Sequence, residues 1–587
     1  MSSSRGVGAA VESDPRLATY VALRDRAATL FDGLRDLPEY GDRVWSAYFR
    51  RTFDAHNAVW HHMNEHRQRL AVHGLQRHQV GECASRIAQL YYLYYLRRGD
   101  TSYLEESFAF FDLIWCKKYF APPQPDGRQP PLLPEGHAAR ELRYYARFAV
   151  VCLLCGKRTV LHDILLAFEQ RLEEQAALDS PRSSSERGEW VRVVGEFQAF
   201  VSQDPPIAAP RLQPQNTLPL VDLLAASVDV QSDHHHLPWL RLSEAILVGA
   251  SASQLKVSEL TVDSFRMLHA IEWDAASYAS HYSSASTGAE DQAQSTPRKY
   301  LLRPTVGKLM LALSTSLVEK PPRSALLLYI SADGIHTSSR PSNDPPNQAS
   351  SSATYDPGGI ALAVAEESAE AVRGCCFRPH DLVPYCRMPL VVVVESDNAH
   401  AFASLPDLAR CYQQPLLCLL APCPVLPTAR HAHEATRLGG GGALTLFLYD
   451  PIAALCALFE VESLAPNARS DAQSALEEMS QTLARSLGQS FLTPYDDIDC
   501  NVPTPAFGVY QPALAFLHDP FVLALMVRFL ICKVAYARCK HTRALIEEGH
   551  LRPPLCAPAV GGTAACSEAL DTGLQALLTA MGVEDGA

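Results

Sequence analysis

His62, Met63, Asn64, Glu65 and His66 come nearest, of all the spacings in this chain, to stating a reaction. Two histidines four residues apart share one helix face and can hold a divalent ion, with the neighbouring glutamate activating a water on it, the arrangement of metal-dependent hydrolysis. The surrounding residues are polar, however, and no downstream acid stands out as a further ligand, so the plainer reading is an accidental match on a solvated helix face. Cys152 and Cys155 form a Cys-x-x-Cys inside the apolar run Val150 to Leu154. Without two further ligands nearby they read as buried thiols, and the adjacent Cys375 and Cys376 are equally unspecific. His234, His235 and His236 fall in a proline-containing connector and read as polar filler. At the end of an apolar run, Glu395, Ser396 and Asp397 occupy the place where parallel α/β sheets collect ligands. There Asp397 could hold magnesium and Ser396 could act as a nucleophile. Against this, the chain has no Gly-x-Ser-x-Gly elbow and no Gly-x-Gly-x-x-Gly turn, and Gly307-Lys308 continues into Leu309, which fails as a phosphate loop. The expectation is a polar cap on a buried strand, with no catalytic, cofactor or metal residue assigned. The alternative is an α/β enzyme of hydrolase or phosphoryl-transfer type with its site near Glu395–Asp397.

Composition narrows the classes. A chain of 587 residues exceeds one hydrophobic core and predicts roughly two to four domains. An apolar fraction of 47% with 20% charged residues is that of a folded protein, and a formal charge of -13 disfavours a broad grip on phosphate backbones. Direct nucleic-acid binding is therefore not expected. Met1 to Val11 has no apolar core of signal-peptide length, which makes cytosol or nucleus the default. Phe521 to Val534 is the most membrane-like run, but Arg528 and Lys533 interrupt it and it falls short of the roughly 20 residues a bilayer needs. It reads as a buried helix. The 16 cysteines, in that setting, read as small hydrophobes.

The elements that must position these residues differ along the chain. Ile87, Leu90, Tyr91, Tyr94 and Tyr95 share one helix face, and Leu104, Phe108, Phe111 and Trp115 another, with Ser102 and Glu105 at capping-box spacing between them. The pair predicts a helical hairpin. From Leu17 to Val201 the pattern is helical almost throughout, about seven helices by periodicity, interrupted by the proline-rich stretch Ala121 to Pro134. Stacked hairpins of this kind, in the style of tetratricopeptide repeats, build binding surfaces. Exposed members of the Tyr91 to Tyr95 and Tyr144 to Tyr145 clusters are candidate anchors, although core packing is the plainer role for any one ring. Beyond Asp204 to Pro238 the texture changes. Ser324 to Ile330, Pro389 to Val394 and Pro415 to Leu420 are continuous apolar runs suited to parallel strands buried on both faces, Ala443 to Leu448 is a further candidate strand, and helical patterns run over Val306 to Val318 and Ala399 to Cys411. The predicted fold is a multidomain α+β protein. It comprises a disordered tail over 1–16, an all-α helical array over 17–203, a linker over 204–242 and an α/β domain with a mostly parallel sheet over 243–545. Flexible surface insertions are expected at 275–297, 337–354 and 423–442, and a C-terminal tail with a short amphipathic helix over 546–587.

Several long, idiosyncratic stretches resemble one family. They are Leu30 to Arg69, especially GLRDLPEYG and YFRRTFD, then Gly81 to Phe110, and LRYYARFAVVCLL at Leu142 to Leu154. KVSELTVDSFRML at Lys256 to Leu268, KYLLRPT at Lys299 to Thr305, QPLLCLLAP at Gln414 to Pro422, LTLFLYDP at Leu444 to Pro451 and HDPFVLALMVRFLIC at His518 to Cys532 continue the match. The chain is identified on these as resembling the suppressor of cancer cell invasion (SCAI) family. The resemblance implies a nuclear and cytoplasmic, non-enzymatic transcriptional cofactor that represses transcription driven by serum response factor with myocardin-related factors, downstream of Rho and actin signalling. It further implies restraint of cell migration and a link to DNA break repair through protein partners. No catalytic residue, cofactor or metal comes with it.

Overall fold

The computed structural model describes residues 15–37, 42–98, 101–120, 137–176, 184–203, 240–252, 254–258, 260–271, 298–319, 323–335, 358–363, 376–422, 441–461, 464–492, 515–557 and 564–583. Residues 1–14 of the predicted tail over 1–16, the proline-rich stretch 121–134, residues 204–239 of the predicted linker over 204–242, the insertions 275–297 and 337–354, and residues 423–440 of the insertion over 423–442 lie outside these residues, whereas 15–16 open the first helix and 241–242 the first strand. The chain divides into two compact units, residues 1–194 and 195–587.

The first unit is all helix among the described residues. Its helices are α1 (Pro15–Asp32), α2 (Asp42–Glu65), α3 (Arg67–Val72), α4 (Arg77–Arg98), α5 (Thr101–Lys117), α6 (His137–Leu154), α7 (Arg158–Ala176) and α8 (Ser184–Gln203), the last crossing the division. The eighth helix beyond the periodicity count is the six-residue α3, too short to show a period. The predicted hairpin is α4 and α5. Helix α5 begins at Thr101, one residue before the predicted cap, which places Ser102 inside the first turn. The two helices are pinned by Ser107, whose hydroxyl donates to the Ala88 carbonyl at 2.8 Å. Large apolar residues at helix spacing fill the interior: Leu34, Trp45, Phe49 and Leu90 form one buried cluster, and Leu142, Phe168, Leu172 and Val194 form another. Burying side chains of this size contributes about 1.5–3 kcal/mol each.

The second unit is organised by a six-stranded sheet. Its strands are β1 (Arg241–Gly249), β4 (Arg298–Leu302), β5 (Ser324–Ser331), β9 (Leu390–Glu395), β10 (Leu416–Ala421) and β11 (Leu555–Ala557), in the order β11-β10-β9-β5-β1-β4. Five of them run parallel and β11 alone is antiparallel, on the β10 edge. Every residue of β5, β9 and β10 is buried, which is why they read as unbroken apolar runs. Outside the sheet, β2 (Lys256–Val257) pairs with β3 (Leu260–Thr261), and β6 (Gly334–Ile335), β7 (Gly359–Ala361) and β8 (Cys376–Phe377) form a small antiparallel sheet. From β1 the chain moves to the β4 side, then returns past β1 to β5 and on to β9 and β10, so the winding reverses between β1 and β5.

Helices of this unit are α9 (262–271), α10 (Val306–Glu319), α11 (Ala443–Tyr449), α12 (Pro451–Leu458), α13 (Pro466–Leu492), α14 (Pro520–Arg538), α15 (Lys540–Glu547) and α16 (Ala564–Ala580). Two sequence expectations are corrected here. Ala443 to Leu448 lies in the helix α11, where a strand was expected, because all six of these residues, Thr445 among them, are buried and a short helix buried on every side shows no amphipathic period. Between Ala399 and Cys411 the chain forms short turns of 3-10 helix around the single α turn Leu405–Leu408, where one longer helix was expected; Pro406 lies in that turn. Within residues 546–587 the expected amphipathic helix is α16, packed on α13 with Gly573 closely opposed to Met479, and the strand β11 precedes it, an element the sequence does not announce. Phe521 to Val534 is the predicted buried helix, α14. Among the described residues no helix is long and apolar enough to cross a membrane.

Candidate functional site at the strand ends

In a doubly wound sheet the ligand crevice opens at the carboxyl ends of the parallel strands, where the winding reverses. Here that place is the ends of β1 and β5, with β9 alongside. Ser331 closes β5 and Glu395 closes β9. The chain leaving β1 passes Ser251 and Gln254 and enters α9 through a reciprocal cap. The Thr261 amide donates to the Ser264 hydroxyl at 2.7 Å and the Ser264 amide to the Thr261 hydroxyl at 3.3 Å, which sets Asp263 in the first turn, aimed back at the sheet.

Two carboxylates lie at the centre, Asp263 fully buried and Glu395 1% exposed. Asp263 accepts from the Ser331 hydroxyl at 2.8 Å, from the Gln254 amide group, and from the Gly442 amide at 2.8 and 3.0 Å, with the Arg266 guanidinium 3.8 Å away. Glu395 accepts from the Leu444 amide at 2.8 Å, the Thr445 amide at 2.9 Å and the Thr445 hydroxyl at 2.6 Å. The Tyr329 hydroxyl completes the cluster 2.5 Å from the Thr445 hydroxyl. Burial first, and the Asp263 charge second, push the Glu395 carboxyl up to about 8, against the pull of its three donors. Burial likewise holds the Tyr329 phenol well above its ordinary range.

Both acids are thus engaged by one segment of the chain itself. Gly441 adopts φ +75°, a conformation glycine enters without strain, and Gly442 passes so close that a β-carbon there would sit 2.1 Å from the Glu395 carboxyl carbon. The glycine run expected to end a surface loop at 442 therefore ends inside the core, because two buried acids take its amide and those of α11. At the reversal point itself, the Ser251 hydroxyl and the Ala252 amide both donate to Asp333, each at 2.9 Å, joining the loops after β1 and β5 across the crevice.

The residues singled out by sequence do not form one site. Of the strand-end trio, Glu395 and Ser396 are buried and Asp397 is exposed, so they do not converge; the Ser396 hydroxyl accepts from the Asn398 amide at 3.4 Å. His62 and His66 do come together, their rings edge to face at 4.7 Å, and the His66 Nε2 lies 4.0 Å from the carboxylate of the largely exposed Glu65; His62 is half-buried with a ring nitrogen 3.0 Å from the Arg16 carbonyl oxygen, and His66 lies in the turn beyond α2. Cys152 is buried, its thiol pushed up by desolvation, and the Cys155 sulfur lies 3.9 Å from the Leu104 carbonyl oxygen. Cys376 is buried in β8, whereas Cys375 and His234 to His236 lie outside the described residues. Gly307 and Lys308 open α10, where the Lys308 amide donates to Thr305 at 3.3 Å. Tyr95 and Tyr144 are core residues, and Tyr91, Tyr92, Tyr94 and Tyr145 are half-buried. Among the described residues no three His, Cys, Asp or Glu side chains group as a metal site. Asp263, Gln254, Ser331, Thr445 and Tyr329 escaped the sequence reading. The signal for Asp263 was its place three residues before Arg266 at a helix start, a weak one.

Fold and site together define a two-part α+β protein, a helical array and a doubly wound sheet whose strand ends are closed by its own glycine-led helix. A family profile described as Protein SCAI matches residues 22–542. Human and mouse Protein SCAI are each 33% identical over 529 residues, covering 87% of this chain and 80% of theirs, and the Protein SCAI homolog of Dictyostelium discoideum is 25% identical over 716 residues, covering 92% and 87%. The chain belongs to the SCAI family.

Proposed function

We propose that this protein is a non-catalytic transcriptional corepressor that acts by holding other proteins, in the nucleus and the cytoplasm. Its partners are transcription factors or coactivators of the myocardin-related and serum response factor kind, and its output restrains cell migration; repair proteins at DNA breaks are further partners. The observation that carries the reading is the closed strand end. The two acids best placed for chemistry already hold the amides of Gly442, Leu444 and Thr445, so a substrate would have to displace α11 to reach them. Family membership agrees with it, the relatives being named Protein SCAI. A helical array rich in aromatic side chains supplies the contact area that partner binding needs.

The test is tethering. The full chain fused to a sequence-specific DNA-binding domain is placed upstream of a reporter driven by serum response factor, with a fractionation blot of the same cells. Reduced reporter output, with the protein in both fractions, is expected; unchanged output contradicts the corepressor role.

A further inference from the structure

Where α2, α4 and α5 meet, the core of the first unit gives out into a row of half-buried rings. Trp60 meets Phe110 edge to face at 5.8 Å, and Phe110 stacks on Tyr91 at 5.9 Å. Tyr91 tilts against Phe53 at 4.8 Å, while Phe53 and Tyr103 both lean on Tyr94, at 5.6 and 4.5 Å. All six are intermediate in exposure. Two features distinguish this face from an ordinary core edge. The hydroxyls of Tyr91 and Tyr94 have no hydrogen-bond partner among the described residues, and neither has the exposed carboxylate of Glu106, whose charge reaches Tyr91.

These features select among occupants. A helical partner uses its carbonyls internally and brings alkyl side chains, for which aliphatic grooves are the match. A polyproline II segment leaves every carbonyl unpaired and presents flat pyrrolidine faces, which aromatic rings and phenolic donors complement. An unpaired acid at the rim adds preference for a neighbouring cation. We propose that this aromatic face binds a proline-rich segment of a partner protein that carries an arginine or lysine beside its prolines. The inference rests on the protein-binding reading above and names the partner's chemistry. The competing occupant is the chain's own proline-rich stretch, residues 121–134, which follows α5.

The experiment measures fluorescence polarisation of labelled dodecapeptides against the full chain. The peptides carry Pro-x-x-Pro flanked by arginine, the same flanked by glutamate, an alanine-for-proline control, and a leucine-faced amphipathic helix. The arginine-flanked proline peptide is expected to bind. Y91F/Y94F, which keeps both rings, weakens it about tenfold through two lost hydrogen bonds, and E106K shifts preference to the glutamate-flanked peptide. The proposal is overturned if no proline peptide binds, if binding ignores both variants, or if the helix binds in their place with the same sensitivity to Y91F/Y94F. Binding that appears only after the prolines of 121–134 are replaced also overturns it, by assigning the face to the chain itself. The tethered reporter keeps the two readings apart: repression without proline binding removes this face alone, and loss of repression removes the reading beneath it.

Discussion

Burial lifts the Glu395 carboxyl from 4.5 to about 8, with Asp263 adding to the effect, and the consequence for stability has a definite sign. A carboxyl whose folded pKa stands above its unfolded one contributes stability that is fully present below about 4.5 and is lost as pH rises towards about 8. Urea unfolding at stepped pH is expected to show stability falling across that window. Glu395→Gln, which does not titrate, removes most of the slope, and its cost, an amide group facing the Leu444 N–H, is greatest at the acid end of the window and shrinks as pH rises towards about 8; a wild-type profile that rises instead contradicts the assignment. Gly442→Ala drives a methyl into the same carboxyl and is expected to cost about 1–3 kcal/mol, read as a lower thermal midpoint. Glu395 was visible in the sequence as the end of an apolar run, and so was the rule that such ends matter. What was not visible is that it points inward. Its neighbours Ser396 and Asp397 alternate in direction, and its partners Leu444 and Thr445 lie 49 and 50 residues away, beyond any local spacing rule. Asp263 was hidden for the same reason, its partners being separated from it by 9, 68 and 179 residues.

At the scale of elements, legibility followed burial pattern. The strands β5, β9 and β10 and the helices α4, α5, α10 and α14 were readable, because unbroken apolar runs and helical stripes are what full and one-sided burial write into a sequence. The helix α11 was not, since a seven-residue helix whose first six residues are all buried carries no period, and β11 was not, since three residues paired antiparallel at an edge are too few to show one. One cap also joins two elements. Asp519 accepts from the Phe521 and Val522 amides at 3.0 and 3.1 Å and from the Leu242 amide at 2.7 Å, so one carboxylate both starts α14 and ties it to β1. Asp519→Ala is therefore expected to cost about 2 kcal/mol, at the upper end for a lost cap because a strand amide is orphaned as well. Asp519→Asn, which keeps acceptor oxygen, should cost less; equal losses in chemical denaturation would contradict the dual role.

For the whole molecule, the sequence indicated two architectures in the order found, helices first and a mostly parallel sheet second, and long family-specific stretches indicated the SCAI family, which the comparisons bear out over most of the chain. On the function proposed above this molecule acts through contact, the acids Asp263 and Glu395 at its strand ends being held by its own chain. The most direct measurement compares the tethered full chain with its Ser396→Ala/Asp397→Asn variant, which removes the candidate nucleophile and the candidate metal ligand, thermal melting having verified that the variant is folded. Repression equal to wild type is expected; a folded variant that no longer represses would place a requirement on the strand-end side chains and contradict a role by contact alone.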